Sequence, residues 1–446
     1  MQKGIIIPFL IFIWIVNANI INCQVISPSG FDQYQDSLST ELSSRVGLLE
    51  SNLEKINRLK ISGYTQVQYL WSDTAGSLLP NMTYMPTKTD QQFQIRRARL
   101  KATYEFVNLE GITLTSMVLQ FNGNANGVTL VDAYGKVLDP WIHWFGFKAG
   151  LYNRPFGYEL AYSSSNRETV ERGRMSSLLF LNERDLGASI LIGAPKTSPW
   201  NWVRLEAGLF TGLGLYSLEV DRKKDFIGQL VFTKSNLNET VRFSGGISYY
   251  KGGNIYGNKY HFEIADKNGQ KTWHVEDSTQ NPNTSFTKRE YFGADAQVSF
   301  ENPLGLTTLR GEVIFGTHPG LNTTSLPIAA LTTANMYNRK FNGAYFYFVQ
   351  NILHSKHNIV VKYDWLDPNT EVKGAEIANA ASTGFSLQDI KFNNLSLGYV
   401  FNFDHTWKFM VTYEMIKNEI TSLPNYNKDI KDNLVTFRMQ YRFNNI

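Results

Sequence analysis

The sequence predicts an all-β chain: a transmembrane antiparallel β-barrel of about 16 strands, preceded by a short N-terminal helix. Three observations predict it. From residue 61 onward, apolar and polar residues alternate with period two in segments of about ten residues, as in strands with one lipid face and one wet face. The connections between these segments alternate between long and short, 123–126 alone being too short for its class, which a soluble sandwich or propeller has no reason to do. Nothing after the N-terminus approaches the ~20 consecutive apolar residues of a spanning helix. The chain is therefore expected either to be soluble or to insert as a closed barrel, the non-helical structure that satisfies every backbone hydrogen bond in lipid.

The bulk numbers exclude several classes. Of 446 residues 18% are charged, 14% are aromatic and one is cysteine, and the formal charge is +4. So small a net charge does not point to nucleic acid, and one cysteine allows no internal disulfide.

The N-terminus, MQKGIIIPFLIFIWIVNANIINCQ, has an early Lys3 and a long apolar run ending in small or polar residues, so 1–23 reads as a signal peptide. Residues 24–60 read as a periplasmic linker and a short helix: 24–35 are polar and expected to be flexible. Leu42, Val46, Leu49, Leu53 and Ile56 then follow at the spacings of a heptad seam interrupted by Gly47. Such a helix either packs on its own domain or joins a short oligomeric coiled coil.

The barrel is expected over 61–446. ISGYTQVQYLW sets Thr65, Val67, Tyr69 and Trp71 against Tyr64, Gln66 and Gln68; QFQIRRARLKATYEF sets Ile95, Arg97, Arg99 and Lys101 against Ala98, Leu100, Ala102, Tyr104 and Phe106. Alternating segments follow at 111–122, 127–138, 141–152, 184–194, 200–211, 225–234, 240–250, 289–300, 305–317, 342–353, 358–366, 391–403 and 407–417. The last, 432–443, sets Val435, Phe437, Met439, Tyr441 and Phe443 against Thr436, Arg438, Gln440 and Arg442. An even count with alternating loop lengths is the mark of a single-chain outer-membrane barrel of Gram-negative bacteria, with aromatic residues available for its two girdles.

On this register cations outnumber acids on the wet face, so the lumen is expected to favour anions. Arg204/Glu206, Arg310/Glu312 and Lys362/Asp364 read as pairs that stiffen the wall. Arg97, Arg99 and Lys101 read either as wall or as ion path, because three like charges two residues apart repel unless acids or a permeating anion sit among them. Arg96, on the opposite face, is expected to reach lipopolysaccharide phosphates. His354/His357 lacks Cys or carboxylate company for a metal, Ser163–Ser165 has no nearby histidine, and Asp364/Asp367 precedes a Pro turn; no catalytic set, cofactor or metal site is expected.

Several blocks in order resemble the phosphate-selective porin O/P family: FQIRRARLKATYEF (93–106), LVDAYGKV (130–137), FKAGLYNRPFGYEL (147–160), SSSNRETVERGR (163–174), LFLNERDLGASI (179–190) and VVKYDWLDPNT (360–370). The resemblance implies a homotrimeric porin passing small anions, phosphate among them, through a channel narrowed by an inward-folding loop at 153–183. Carried over, the anion path comprises Arg97, Arg99, Lys101, Lys148, Arg167, Arg172 and Arg174. The loop departs from a purely basic pattern in Glu168 and Glu171, and the chain ends YRFNNI rather than on an aromatic residue. An alternative reading is a barrel that binds surfaces through its long loops 251–288 and 318–341.

Overall fold

The computed structural model describes residues 28–80, 82–108, 111–181, 183–215, 222–235, 240–255, 260–277, 286–324, 334–378 and 384–444. The expected signal peptide lies outside them. Two units divide at Asn57/Arg58.

The first unit holds helix α1 (Pro28–Asn57). It starts earlier than expected, taking in residues 28–35, with Pro28 at the N-terminal position where a missing N–H costs nothing. It also runs through Gly47, whose penalty of about 1 kcal/mol is small against a 30-residue helix. Leu42, Val46, Leu49, Leu53 and Ile56 share one face, and a single helix offers nothing to cover it.

The second unit is a sheet of 18 strands. These are β1 (Leu59–Ser72), β2 (Gln91–Val107), β3 (Thr113–Asn124), β4 (Gly127–Leu138), β5 (Phe145–Asn153), β6 (Arg184–Gly193), β7 (Val203–Phe210), β8 (Asp225–Ser235), β9 (Val241–Ile255), β10 (His261–Lys267), β11 (Gln270–Asp277), β12 (Phe286–Asn302), β13 (Gly305–Gly320), β14 (Met336–Asn351), β15 (His357–Asp367), β16 (Phe392–Asn402), β17 (Trp407–Asn418) and β18 (Leu434–Asn444). All except β10 and β11 form a closed antiparallel barrel of 16 strands. β9 pairs directly with β12, and β18 returns to β1 with Gly63 opposite Phe443. A Cβ at Gly63 would stand 2.7 Å from the Phe443 ring, so glycine there makes room for the last aromatic of the closing strand.

Each of the 16 expected segments is a barrel strand. The hairpin β10–β11 was not expected. It rises within the connection from β9 to β12, touches β14 in parallel at His261↔Met336, and packs Ile264 and Trp273 on Val372, Ile377, Phe385 and Ile390 of the β15–β16 connection. The cap is pinned by Arg339, whose Nε lies 2.8 Å from Asp389 Oδ1 with both side chains fully buried.

Outward positions are apolar and exposed, as in Phe437, Met439 and Tyr441 of β18 or Phe409, Val411 and Tyr413 of β17, while Thr436, Arg438, Gln440, Thr412 and Glu414 between them are buried inside. Exposed Trp141, Trp200 and Phe403 lie at the short turns. No described helix is long and apolar enough to cross a membrane, so crossing rests on the strands. This is the surface of a multi-pass outer-membrane β-barrel.

The interior departs from a uniformly wet wall. Phe156, Phe180, Tyr250, Tyr291 and Phe341 form a buried aromatic core inside the barrel, with Tyr291 5.1 Å from both Tyr250 and Phe341 and Phe156 5.1 Å from Phe180. Phe156 and Phe180 belong to the β5–β6 connection, and each contributes about 1.5–3 kcal/mol by burial. That connection is the reason a polar lumen can hold a core at all.

Candidate functional site

The chain between β5 and β6 carries a short helix, α2 (Arg174–Leu179), and almost every residue from Arg154 to Phe180 is buried or half-buried. It is tied to strands around the barrel. Arg154 pairs with Asp185 at 2.9 Å at the β6 end. The Gly157 N–H donates to Ser248 Oγ of β9 at 2.9 Å, and the Tyr158 and Glu159 N–H groups both donate to Glu312 Oε2 of β13 at 3.1 Å. Arg174 N donates to Asp364 of β15 at 2.9 Å; Lys408 of β17 donates to the Ser165 carbonyl at 2.7 Å; Gln66 of β1 donates to the Ser164 carbonyl at 3.0 Å. Gly157 sits at φ +63°, and a Cβ there would fall 1.9 Å from Glu312 Oε1, so only glycine turns the chain onto that carboxylate.

The segment's acids face the wall. Glu171 lies 2.7 Å from Arg96, 3.1 Å from Arg97 and 2.7 Å from Arg438. Burial alone would raise its pKa, but the three guanidinium groups hold it well below the usual carboxylate range. Glu168 binds Arg310 at 3.2 Å. These contacts correct three expectations. Arg96 points inward, because a β-bulge against Gln66/Val67 sets it on the same side as Arg97 and turns Ile95 out to the exposed face. Arg310 pairs with Glu168, not Glu312. Glu206 pairs with Lys148 at 2.5 Å, not Arg204; Lys362 does pair with Asp364, at 3.2 Å.

On the other side, the segment leaves a cavity of about 410 Å³ against β1–β6 and β18. Five cations line it (Arg99, Lys101, Lys148, Arg184, Arg442) against two carboxylates, Asp132 and Glu183. Arg184 is matched, 2.8 Å from Asp132 and 2.5 Å from Glu183. Lys148 has Glu206 and stacks 4.2 Å over the Tyr152 ring. Arg99 reaches Ser164 Oγ at 3.4 Å and Arg442 reaches Asn166 Oδ1 at 2.8 Å, both neutral, and Lys101 has no partner among the described residues. Arg99 Nε is buried without a hydrogen bond. Glu183 would be raised by burial, but Arg172, Arg184, Arg99 and Arg167 hold it well below the usual carboxylate range.

The seven residues singled out in the sequence therefore separate. Arg99, Lys101 and Lys148 line the cavity; Arg97 is committed to Glu171. Arg167 and Arg172 are buried in the segment, bonded to the carbonyls of Tyr162 and Phe180 at 3.3 and 3.2 Å, and Arg174 turns to a second cavity. Arg184 and Arg442 were missed as site residues: Arg442 shares the alternation of β18 and was legible as lumenal, whereas Arg184 lies at the junction of segment and strand, where periodicity gives no direction. His354 and His357 meet Glu301 at 3.5 Å and Tyr399 at 2.5 Å, and the described residues contain no cluster of three metal-binding side chains.

No family model and no curated protein matches the chain. Among solved structures it is similar to the outer membrane channel DcaP of Acinetobacter baumannii, with TM-score 0.50 and 11% identity over 86% of this chain and 97% of that one. It is also similar to Salmonella typhi OmpF in complex with daunomycin, with TM-score 0.51 and 10% identity over 86% and 97%. The likeness is one of fold, that of outer-membrane porin barrels.

Proposed function

We propose that the protein is an outer-membrane porin: a water-filled channel through which small anions diffuse passively, with the segment 153–183 narrowing the lumen. The observation that carries the reading is the cavity beside that segment, walled by five cations and two carboxylates, with Arg99, Lys101 and Arg442 free of carboxylate partners among the described residues. Cations whose charge is not already spent on a neighbour can replace part of an anion's hydration, and their spacing along the wall lets the anion leave again. Because Glu168 and Glu171 are turned to the wall, the acids of the segment do not cancel this bias.

Inorganic phosphate is the anion the sequence blocks suggest. The channel reading assigns the protein no chemical step. Export by a signal peptide at 1–23, lipopolysaccharide around the outer rim, and a homotrimer held in part by the α1 seam complete the proposal. Proteoliposomes test it: influx of phosphate should exceed that of a cation of similar size, and the excess should shrink in Lys101→Glu. Equal influx of the two, or none of either, would reject the anion channel.

A further inference from the structure

A second cavity lies at the long-loop end, on the α2 side of the crossing segment. It holds about 260 Å³, enough for nearly nine waters at ~30 Å³ each. Its apolar wall comprises Leu78, Met82, Leu178, Ile390, Phe392 and Tyr426. Two charged residues also line it, Arg174 from α2 and Asp432 from the β17–β18 connection.

Among the described residues neither charged group has a hydrogen-bond or ion-pair partner. Arg174 is 4% exposed, and its backbone N–H donates to Asp364; the guanidinium stacks 4.2 Å over Phe392 and finds no acceptor among the described residues. Asp432 is 9% exposed, no other described residue donates to its carboxyl, and no ion pair joins it to Arg174. Burial pushes this carboxyl up to about 6 although Arg174 pulls the other way. A cation and an anion left facing one small apolar chamber are costly unless something bridges them.

We propose that this cavity is a binding site for a zwitterionic α-amino acid with an apolar side chain, its carboxylate on Arg174, its ammonium on Asp432 and its side chain against Phe392 and Tyr426. A simple anion would satisfy Arg174 and leave Asp432 repelled; an apolar solute would leave both unmatched. The cavity is thus chemically unlike the basic one across the segment, and it gives the protein a recognition step for a solute class other than small inorganic anions. Binding there does not depend on whether the barrel conducts, so the two readings fail separately.

The test is calorimetric titration of the purified full-length protein in detergent with L-phenylalanine, 3-phenylpropionate, 2-phenylethylamine and glycine. Phenylalanine is expected to bind at least tenfold more tightly than each of the others, which lack the ammonium, the carboxylate or the side chain. Arg174→Gln should weaken phenylalanine at least tenfold and leave phenylethylamine unchanged; Asp432→Asn should weaken phenylalanine and leave phenylpropionate unchanged. Folding of each variant is checked by heat-modifiable migration in gels, and should a variant not fold, the four-ligand series on the natural protein still decides. No binding of phenylalanine, or equal binding of its deaminated analogue, overturns the proposal.

Discussion

Replacing Glu171 by Gln removes the charge that three arginines share. The carboxylate lies 2.7, 3.1 and 2.7 Å from Arg96, Arg97 and Arg438, and the side chains of Glu171, Arg97 and Arg438 are 8%, 7% and 1% exposed. Gln keeps the shape and one acceptor oxygen but leaves three like charges converging on a neutral amide. Removing one partner from a buried ion pair costs about 3–5 kcal/mol, so even the lower figure shifts the balance between docked and undocked segment by roughly a hundredfold. The barrel itself is closed by the backbone ladders between its strands, which Glu171 does not touch, so the effect is on the segment. Single-channel recording in planar bilayers should show frequent excursions to larger conductance in Glu171→Gln and few in the natural protein. Adding Arg438→Met, which removes one of the stranded charges, should restore part of the quiet trace. Identical traces from Glu171→Gln and the natural protein would refute the claim that this carboxylate docks the segment.

Three further outcomes are expected. The pKa values of Glu171 and Glu183 are both depressed by neighbouring arginines, so their stabilisation is complete above the unfolded carboxylate value of about 4.3 and is lost as pH falls through their lower folded values; conductance recorded from pH 7 to pH 3 should stay quiet until below about 4. Gly157→Ala places a Cβ against Glu312 at a positive φ, costing at least about 1–2 kcal/mol from the backbone alone, and protease nicking between residues 154 and 180 in detergent should rise accordingly. Leu49→Asp in α1 should lower the oligomer mass measured by light scattering if the heptad seam joins copies of the chain.

Much of the barrel was legible because its strands obey a two-residue period over long runs, and because connection lengths alternate independently of that period. The places where reading failed share a physical cause. A one-residue bulge at Arg96 reverses the phase of β2, and no propensity marks it, so Arg96 and Ile95 exchanged faces. The β10–β11 hairpin lacks a lipid face, and its Trp273 is covered by a connection more than 100 residues away in sequence. The partners of Arg310 and Glu206 were misassigned because adjacency along a strand puts charges on one face without putting them in contact, whereas the crossing segment brings Glu168 to Arg310 and the sheet register brings Lys148 to Glu206. The segment's charges could be named from sequence. Which of them face the wall and which face open space depends on where Gly157 aims the chain.

Unmatched cations beside the crossing segment should bias the channel towards anions. The zero-current potential across a planar bilayer under a potassium chloride gradient measures this bias directly. A chloride preference is expected in the natural protein, moved towards potassium by Lys101→Glu and further by the double variant Lys101→Glu, Arg442→Gln. A potential that favours potassium in the natural protein, or that does not move in either variant, would contradict it.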